Sequence, residues 1–138
     1  SNFNNDRFSY AGFDLAKSPI EYCERKYAKK GAYFYSSGTP SEMADYSVMS
    51  GTFNYAPDLT VNAWRDYLFT SLNSIWNLTR RSMIFNLMIS EEDKITSQSI
   101  SYIRRETILN FCQSNFGATY EHFSSKLPRE ITFCVSKT

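Results

Sequence analysis

The segment Phe8-Ser-Tyr-Ala-Gly-Phe-Asp14, with Lys17-Ser-Pro-Ile20 just beyond it, decides how the rest of the chain is read. Tyr10 to Leu15 has the pattern of a buried strand that ends at a carboxylate. Ser18 is placed to cap a helix, and Pro19 suits a first helical turn. Ile20, Cys23 and Tyr27 then recur at helical spacing, while Glu21, Glu24, Arg25 and Lys26 fill the outer face. Lys29 and Lys30 suit the negative end of the helix dipole, and Gly31 is a good terminator. A strand, an acid and a helix in this order form the corner at which nucleotide-binding α/β domains hold a ribose. The acid accepts hydrogen bonds from both sugar hydroxyls at the carboxyl end of the strand. In dinucleotide folds that acid follows a glycine-rich turn by about 20 residues. No such turn precedes Asp14 in this sequence. The expectation is therefore the downstream part of a domain whose first strand and phosphate-side loop lie elsewhere.

The remaining segments alternate. Ala32 to Tyr35 reads as a short strand and Ser36 to Glu42 as a polar loop. Asp45 to Met49 is the next strand, closing in Ser50-Gly51-Thr52-Phe53-Asn54. Thr60 or Asn62 caps a helix in which Trp64, Tyr67, Leu68, Leu72, Ile75 and Trp76 keep a three-to-four residue period. Ser82 to Ile89 is an almost continuous apolar run, the mark of a strand covered on both faces. Ser90 to Ser101 is polar and reads as an exposed loop. Arg105 to Phe116 reads as a helix stopped by Gly117. Ala118 to Phe123 and Glu130 to Ser136 are two strands joined across Leu127-Pro128. That link is too short for a parallel crossover, so the last two strands must form an antiparallel hairpin. Alternation of this kind predicts an α/β layered domain with a mainly parallel sheet.

Composition sets the bounds. The length of 138 residues fits one domain, and 10 Tyr and 11 Phe supply ample core material. The formal net charge of +1, from 15 basic and 14 acidic residues, gives no electrostatic reason to expect nucleic acid or an anionic membrane as partner. Cys23, Cys112 and Cys134 lie far apart in apolar patterns, as reduced core cysteines of a cytoplasmic protein do. One histidine and no paired-cysteine spacing argue against a metal site.

In order and spacing these segments resemble the class I methyltransferases that use S-adenosylmethionine. Ala11-Gly-Phe-Asp-Leu-Ala-Lys-Ser-Pro-Ile20 is similar to that family's second strand, ribose acid and helix start. Ala44-Asp-Tyr-Ser-Val-Met-Ser-Gly-Thr-Phe-Asn54 is similar to its fourth strand and following loop, Arg80-Arg-Ser-Met-Ile-Phe-Asn86 to its fifth strand, and Leu127-Pro-Arg-Glu-Ile-Thr-Phe-Cys-Val135 to its seventh. The resemblance implies a three-layer, Rossmann-like α/β fold, with a mainly parallel sheet and a terminal antiparallel hairpin. It also implies S-adenosylmethionine as cofactor and a small-molecule or saccharide acceptor. The family's first strand is central, between the second and fourth. Without it, two half-sheets with unpaired inner edges are expected, completed by a partner segment or by a homo-oligomer. A non-catalytic methyltransferase-like scaffold or dimerisation module is the alternative. A dehydrogenase-like nucleotide domain is a third reading, and the terminal hairpin counts against it.

The resemblance assigns Asp14 to the ribose and Leu15 to the side of the sugar or adenine. Ser37 and Gly38 would flank the adenine, where many relatives carry an acid instead. Ser50, Gly51 and Thr52 would approach the cofactor at the end of the fourth strand, with Phe53 and Asn54 facing the acceptor. No catalytic base is assigned. His122 reads as a surface residue of the terminal hairpin. Arg80 and Arg81 read as closing the preceding helix, Trp64 and Trp76 as helix anchors, and Asp58, Glu91, Glu92 and Asp93 as solvated loop charges.

Overall fold

In a computed structural model, which describes residues 8–29 and 31–138, the strand–acid–helix opening is a strand–helix–strand unit. It comprises β1 (Tyr10–Asp14), α1 (Lys17–Tyr27) and β2 (Ala32–Ser36). The strands pair in parallel, Tyr10 opposite Ala32 and Asp14 opposite Ser36, and α1 supplies the crossover that parallel pairing requires. Ser18 does not cap the helix: Ala16 is the N-cap and makes no side-chain bond. Asp14 takes over part of that task, its Oδ1 accepting the Ala16 N–H at 2.8 Å. Lys29 lies past the helix end, and Lys30 is outside the described residues. Gly31, at φ +87°, adopts the left-handed conformation that turns the chain into β2. These elements belong to one compact unit, which ends at Ser41; residues 42–138 form a second.

The second unit holds β3 (Ala44–Met49), α2 (Val61–Asn77), β4 (Thr79–Met88), β5 (Lys94–Ile95), β6 (Ser101–Tyr102), α3 (Arg105–Asn115), β7 (Thr119–Phe123) and β8 (Glu130–Ser136). Its main sheet has the order β3-β4-β8-β7. β3 and β4 are parallel, while β8 runs antiparallel to both β4 and β7. The terminal hairpin is therefore present, with its last strand lodged between β4 and β7. The core lies on one face. Trp64, Leu68, Leu72 and Ile75 of α2 meet Met83, Phe85 and Leu87 of β4 and Phe133 and Val135 of β8. Ile108 and Cys112 of α3 join them, and Phe69 and Phe111 stack at 4.0 Å between the helices. Burial pushes the Cys112 thiol up to about 12. Each large side chain buried this way contributes about 1.5–3 kcal/mol. Thr60 caps α2 as expected, its hydroxyl accepting the Ala63 N–H at 3.2 Å.

Along Ser82–Ile89, Met83, Phe85 and Leu87 are buried among the described residues, and the residues between them are half-buried. Two expectations need correction. Arg80 and Arg81 lie in β4 rather than closing α2, because the turn at Leu78 is short and the strand starts at Thr79. The polar stretch Ser90–Ser101 is not a plain loop. It ends in the β5–β6 hairpin and buries Ser101, whose hydroxyl donates to the Phe53 carbonyl at 2.6 Å. Two separate sheets, as expected without a first strand, are present: among the described residues β1 pairs only with β2, and β3 only with β4.

Candidate functional site

In the first unit the ends of β1 and β2 bring Asp14, Leu15, Ser37 and Gly38 together. Asp14 is the last residue of β1 and is exposed. Its Oδ1 is fixed by the Ala16 N–H, which holds the carboxylate at the strand end and leaves Oδ2 without a partner among the described residues. Leu15 is 74% exposed and lies over Gly38; a Cβ at position 38 would come within 3.0 Å of its Cδ2. The absent side chain is thus what lets the leucine lie flat on the β2 loop. Phe13 and Tyr35 stack at 5.0 Å just before this corner. The Ser37 hydroxyl is engaged in its own turn, donating to the Thr39 carbonyl at 3.1 Å and accepting the Thr39 N–H at 3.4 Å.

In the second unit Ser50, Gly51 and Thr52 lie exposed at the carboxyl end of β3. Gly51 has φ +69°, which a residue with a side chain adopts only at a cost. Its N–H donates to Asn86 Oδ1 of β4 at 2.6 Å. Asn86, quoted above only as the end of the fifth-strand segment, thus anchors the β3 loop from β4. The signal available for it was a polar residue inside an otherwise apolar strand. Phe53 requires a correction. Its side chain is 2% exposed and packs in the core edge-on to Tyr67, so it cannot face an acceptor. Its carbonyl takes two donors, Trp64 Nε1 at 3.0 Å and Ser101 Oγ. Asn54 braces the loop: its Oδ1 accepts the Met88 N–H at 3.3 Å, and its carbonyl accepts the Ser101 N–H at 3.0 Å. The loop after β3 is consequently a rigid shelf on which Ser50, Gly51 and Thr52 are the exposed part.

Beyond the end of β4 lies an open hollow of about 530 Å³ lined by Ile89, Ser90, Glu91, Glu92, Lys94, Tyr102 and Arg129. None of the residues assigned to the cofactor or the acceptor lines it. Lys94 Nζ sits 5.4 Å from the centre of the Tyr102 ring. Asp93 is not a solvated charge: it accepts from Arg65 Nη1 and from the Arg104 N–H, both at 2.7 Å, and so ties α2 to the start of α3. Arg105 forms a two-point pair with Glu121 at 2.7 and 2.6 Å, and that carboxylate raises the guanidinium pKa further. His122 is exposed on β7. The three cysteines are free thiols, and no group of three potential metal ligands gathers among the described residues.

No family model matches the chain, and no curated protein matches it. Solved structures do. Magnesium protoporphyrin IX methyltransferase (ChlM) from Synechocystis PCC 6803 with bound S-adenosylmethionine aligns with a TM-score of 0.63 and 9% identity, over 93% of this chain and 59% of its own. The DhpI complex with S-adenosylhomocysteine aligns at 0.62 and 10%, over 91% of this chain and 64% of its own. The pyocyanin biosynthetic protein PhzM aligns at 0.60 and 9%, over 93% and 42%. The chain thus spans about three fifths of the first two. Likeness at this identity establishes the fold, which is the mixed α/β fold of the class I S-adenosylmethionine-dependent methyltransferases.

Proposed function

We propose that this chain is part of an S-adenosylmethionine-dependent methyltransferase acting on a small-molecule or saccharide acceptor. In this reading residues 1–138 belong to one methyltransferase-like domain, to which a partner segment or chain supplies a further strand. One observation carries the reading: an exposed strand-end carboxylate, fixed through one oxygen and, among the described residues, open at the other, beside a leucine laid on a glycine. A carboxylate so held is preorganised to accept from a ribose hydroxyl, and Leu15 offers an apolar face to a base or sugar. Ser37 and Gly38 flank the adenine through backbone groups, because the Ser37 hydroxyl is already engaged. Ser50 and Thr52 offer polar groups at the exposed rim of a braced loop, Gly51, whose N–H is held by Asn86, lets a ligand approach that rim closely, and Asn54 lies at the acceptor side.

When bound, the cofactor supplies a methyl group on a positively charged sulfur, which is already an activated leaving group. What the chain must add is alignment, which alone lowers a barrier substantially. The bracing of the β3 loop by Asn86, Trp64 and Ser101 serves that purpose.

Calorimetric titration of the intact protein with S-adenosylhomocysteine tests the reading. Asp14→Ala removes a charge-assisted acceptor contributing about 1.5–3 kcal/mol, so affinity falls about ten- to hundredfold. Binding that is absent, or that is indifferent to Asp14→Ala in a folded protein, overturns it. The second reading, a non-catalytic scaffold, is favoured by the unblunted edge of β3. Its segment Ala44-Asp-Tyr-Ser-Val-Met49 carries no proline or lysine of the kind that protects free edges. Assembly without cofactor binding distinguishes it.

A further inference from the structure

The hollow beyond β4 gathers charges of both signs that do not pair with one another. Elsewhere in the second unit opposite charges do meet, as Arg65–Asp93, Arg80–Asp45, Arg104–Glu106 and Arg105–Glu121. Around the hollow stand two carboxylates, Glu91 and Glu92, and two cations, Lys94 and Arg129. Among the described residues none of these four side chains forms an ion pair. Lys94 lies instead over the ring of Tyr102, its cross-strand partner in the β5–β6 hairpin.

The backbone around the opening is held at every turn. The Ile89 N–H donates to the Arg129 carbonyl at 2.7 Å, and the Ser90 N–H to the Ile103 carbonyl at 3.1 Å. The Ser90 hydroxyl accepts the Glu92 N–H at 3.2 Å. Asp93, next along the chain, is fixed by Arg65 and by the Arg104 N–H. The four charges thus project from a braced rim, and a rim already ordered loses little freedom when a ligand arrives. The hollow also opens where β4 ends. Asn54, on the acceptor side of the reading above, bonds the last residue of that strand. Ligands of open α/β sheets collect at the carboxyl ends of the strands.

The charge pattern selects the ligand. A singly charged molecule meets like charge as well as opposite charge on this rim. A molecule with both an ammonium and a carboxylate has a partner for each: Glu91 and Glu92 accept from the ammonium, while Lys94 and Arg129 donate to the carboxylate. Ile89 and Tyr102 add apolar surface for the body of the molecule. We propose that the hollow binds a small zwitterion, an amino acid or a compound with the same two groups. This narrows the acceptor of the methyltransferase reading, and it rests on that reading only for the role of acceptor.

Three probes with one ring test it: L-phenylalanine, 3-phenylpropanoate, which lacks the ammonium, and 2-phenylethylamine, which lacks the carboxylate. Each is titrated into the isotope-labelled chain without cofactor, and the amide resonances of Ser90 and Tyr102 are followed. L-Phenylalanine binds with a dissociation constant of about 1 mM or below, and each singly charged probe at least about fivefold more weakly. The variants cross over. Lys94→Gln with Arg129→Gln removes the preference for L-phenylalanine over 2-phenylethylamine and keeps that over 3-phenylpropanoate. Glu91→Gln with Glu92→Gln does the reverse. All four positions are exposed, so the fold tolerates the changes. The proposal is overturned by no shift up to about 10 mM probe, by equal affinity for the three probes, or by variants that weaken all three alike. Tighter binding of methyl glucoside than of L-phenylalanine overturns it in favour of a saccharide. If L-phenylalanine binds as expected while S-adenosylhomocysteine does not, the site stands and only its role as acceptor seat falls.

Discussion

The two units use the same grammar of strand, helix and parallel strand, yet they differ in what holds them. Among the described residues, every buried apolar side chain except Ile20 belongs to residues 42–138. The first unit instead exposes Phe8, Tyr10, Leu15, Tyr22, Tyr27 and Tyr33. A two-stranded sheet with one helix is marginal by itself, and parallel strands are stable when both faces and both edges are covered. The second unit, with two helices over four strands, has the core of a self-sufficient fold. The difference teaches that the candidate ribose corner sits on the weaker scaffold, and the braced loop after β3 on the stronger one.

Mutation gives the largest test of that contrast. Phe133 is fully buried and stacks on Phe85 at 5.4 Å. Phe133→Ala leaves a cavity in the centre of the sheet and costs about 3–5 kcal/mol. In urea denaturation followed by far-UV circular dichroism, the main transition moves by that amount. Ile20→Ala, at the same chemical scale, leaves the main transition in place and releases only the first unit. An equal shift for both would show that the units unfold as one and would erase the distinction.

Hydrogen exchange sharpens the same comparison without mutation. Amides of β4 and β8, paired along seven successive positions from Ser82 to Met88, open only with the whole second unit. Those of β1 and β2 open by local loss of a five-position parallel ladder. We expect the first set to be protected at least about thirtyfold more than the second, a gap of about 2 kcal/mol. Equal protection would mean that an unseen cover stabilises the first unit.

Much of this organisation was legible in the residues, for reasons that differ by element. The helical period of Trp64 to Trp76 stood out because α2 is amphipathic and long enough to repeat its stripe four times. The terminal hairpin followed from chain length alone, since a few residues cannot make a crossover. The two half-sheets followed from the missing strand. The face preference of β4 was not legible, because Ile84 and Met88 are as apolar as the buried residues between them. The β5–β6 hairpin escaped notice because strands of two residues carry no period. At the candidate site Asp14 and Gly51 were legible as types in a pattern. The burial of Phe53 was not, because an aromatic at a loop start is equally suited to line a pocket or to anchor the loop beneath it. Only tertiary contact with Tyr67 and the donors on its carbonyl decides between the two.

The smallest expected effects separate the two halves of the site through their glycines. Gly51 has nothing within 4 Å of where a Cβ would stand, so space is not its constraint; its φ of +69° is. Gly51→Ala therefore costs about 1–2 kcal/mol of backbone strain in a unit that can absorb it, and the loss is read directly in the main unfolding transition. Gly38 has the opposite constraint. Its backbone is ordinary, but a Cβ would press within 3.0 Å of Leu15 Cδ2. Leu15 is exposed and flexible, so it swings aside, and stability changes by no more than about 0.5 kcal/mol. The signal lies in position rather than energy: the Leu15 methyl resonances shift in Gly38→Ala and stay put in Gly51→Ala. A Leu15 that does not move in Gly38→Ala would mean that the leucine is not laid on the β2 loop. The apolar face assigned to the base or sugar would then be lost, while the carboxylate of Asp14 kept its place.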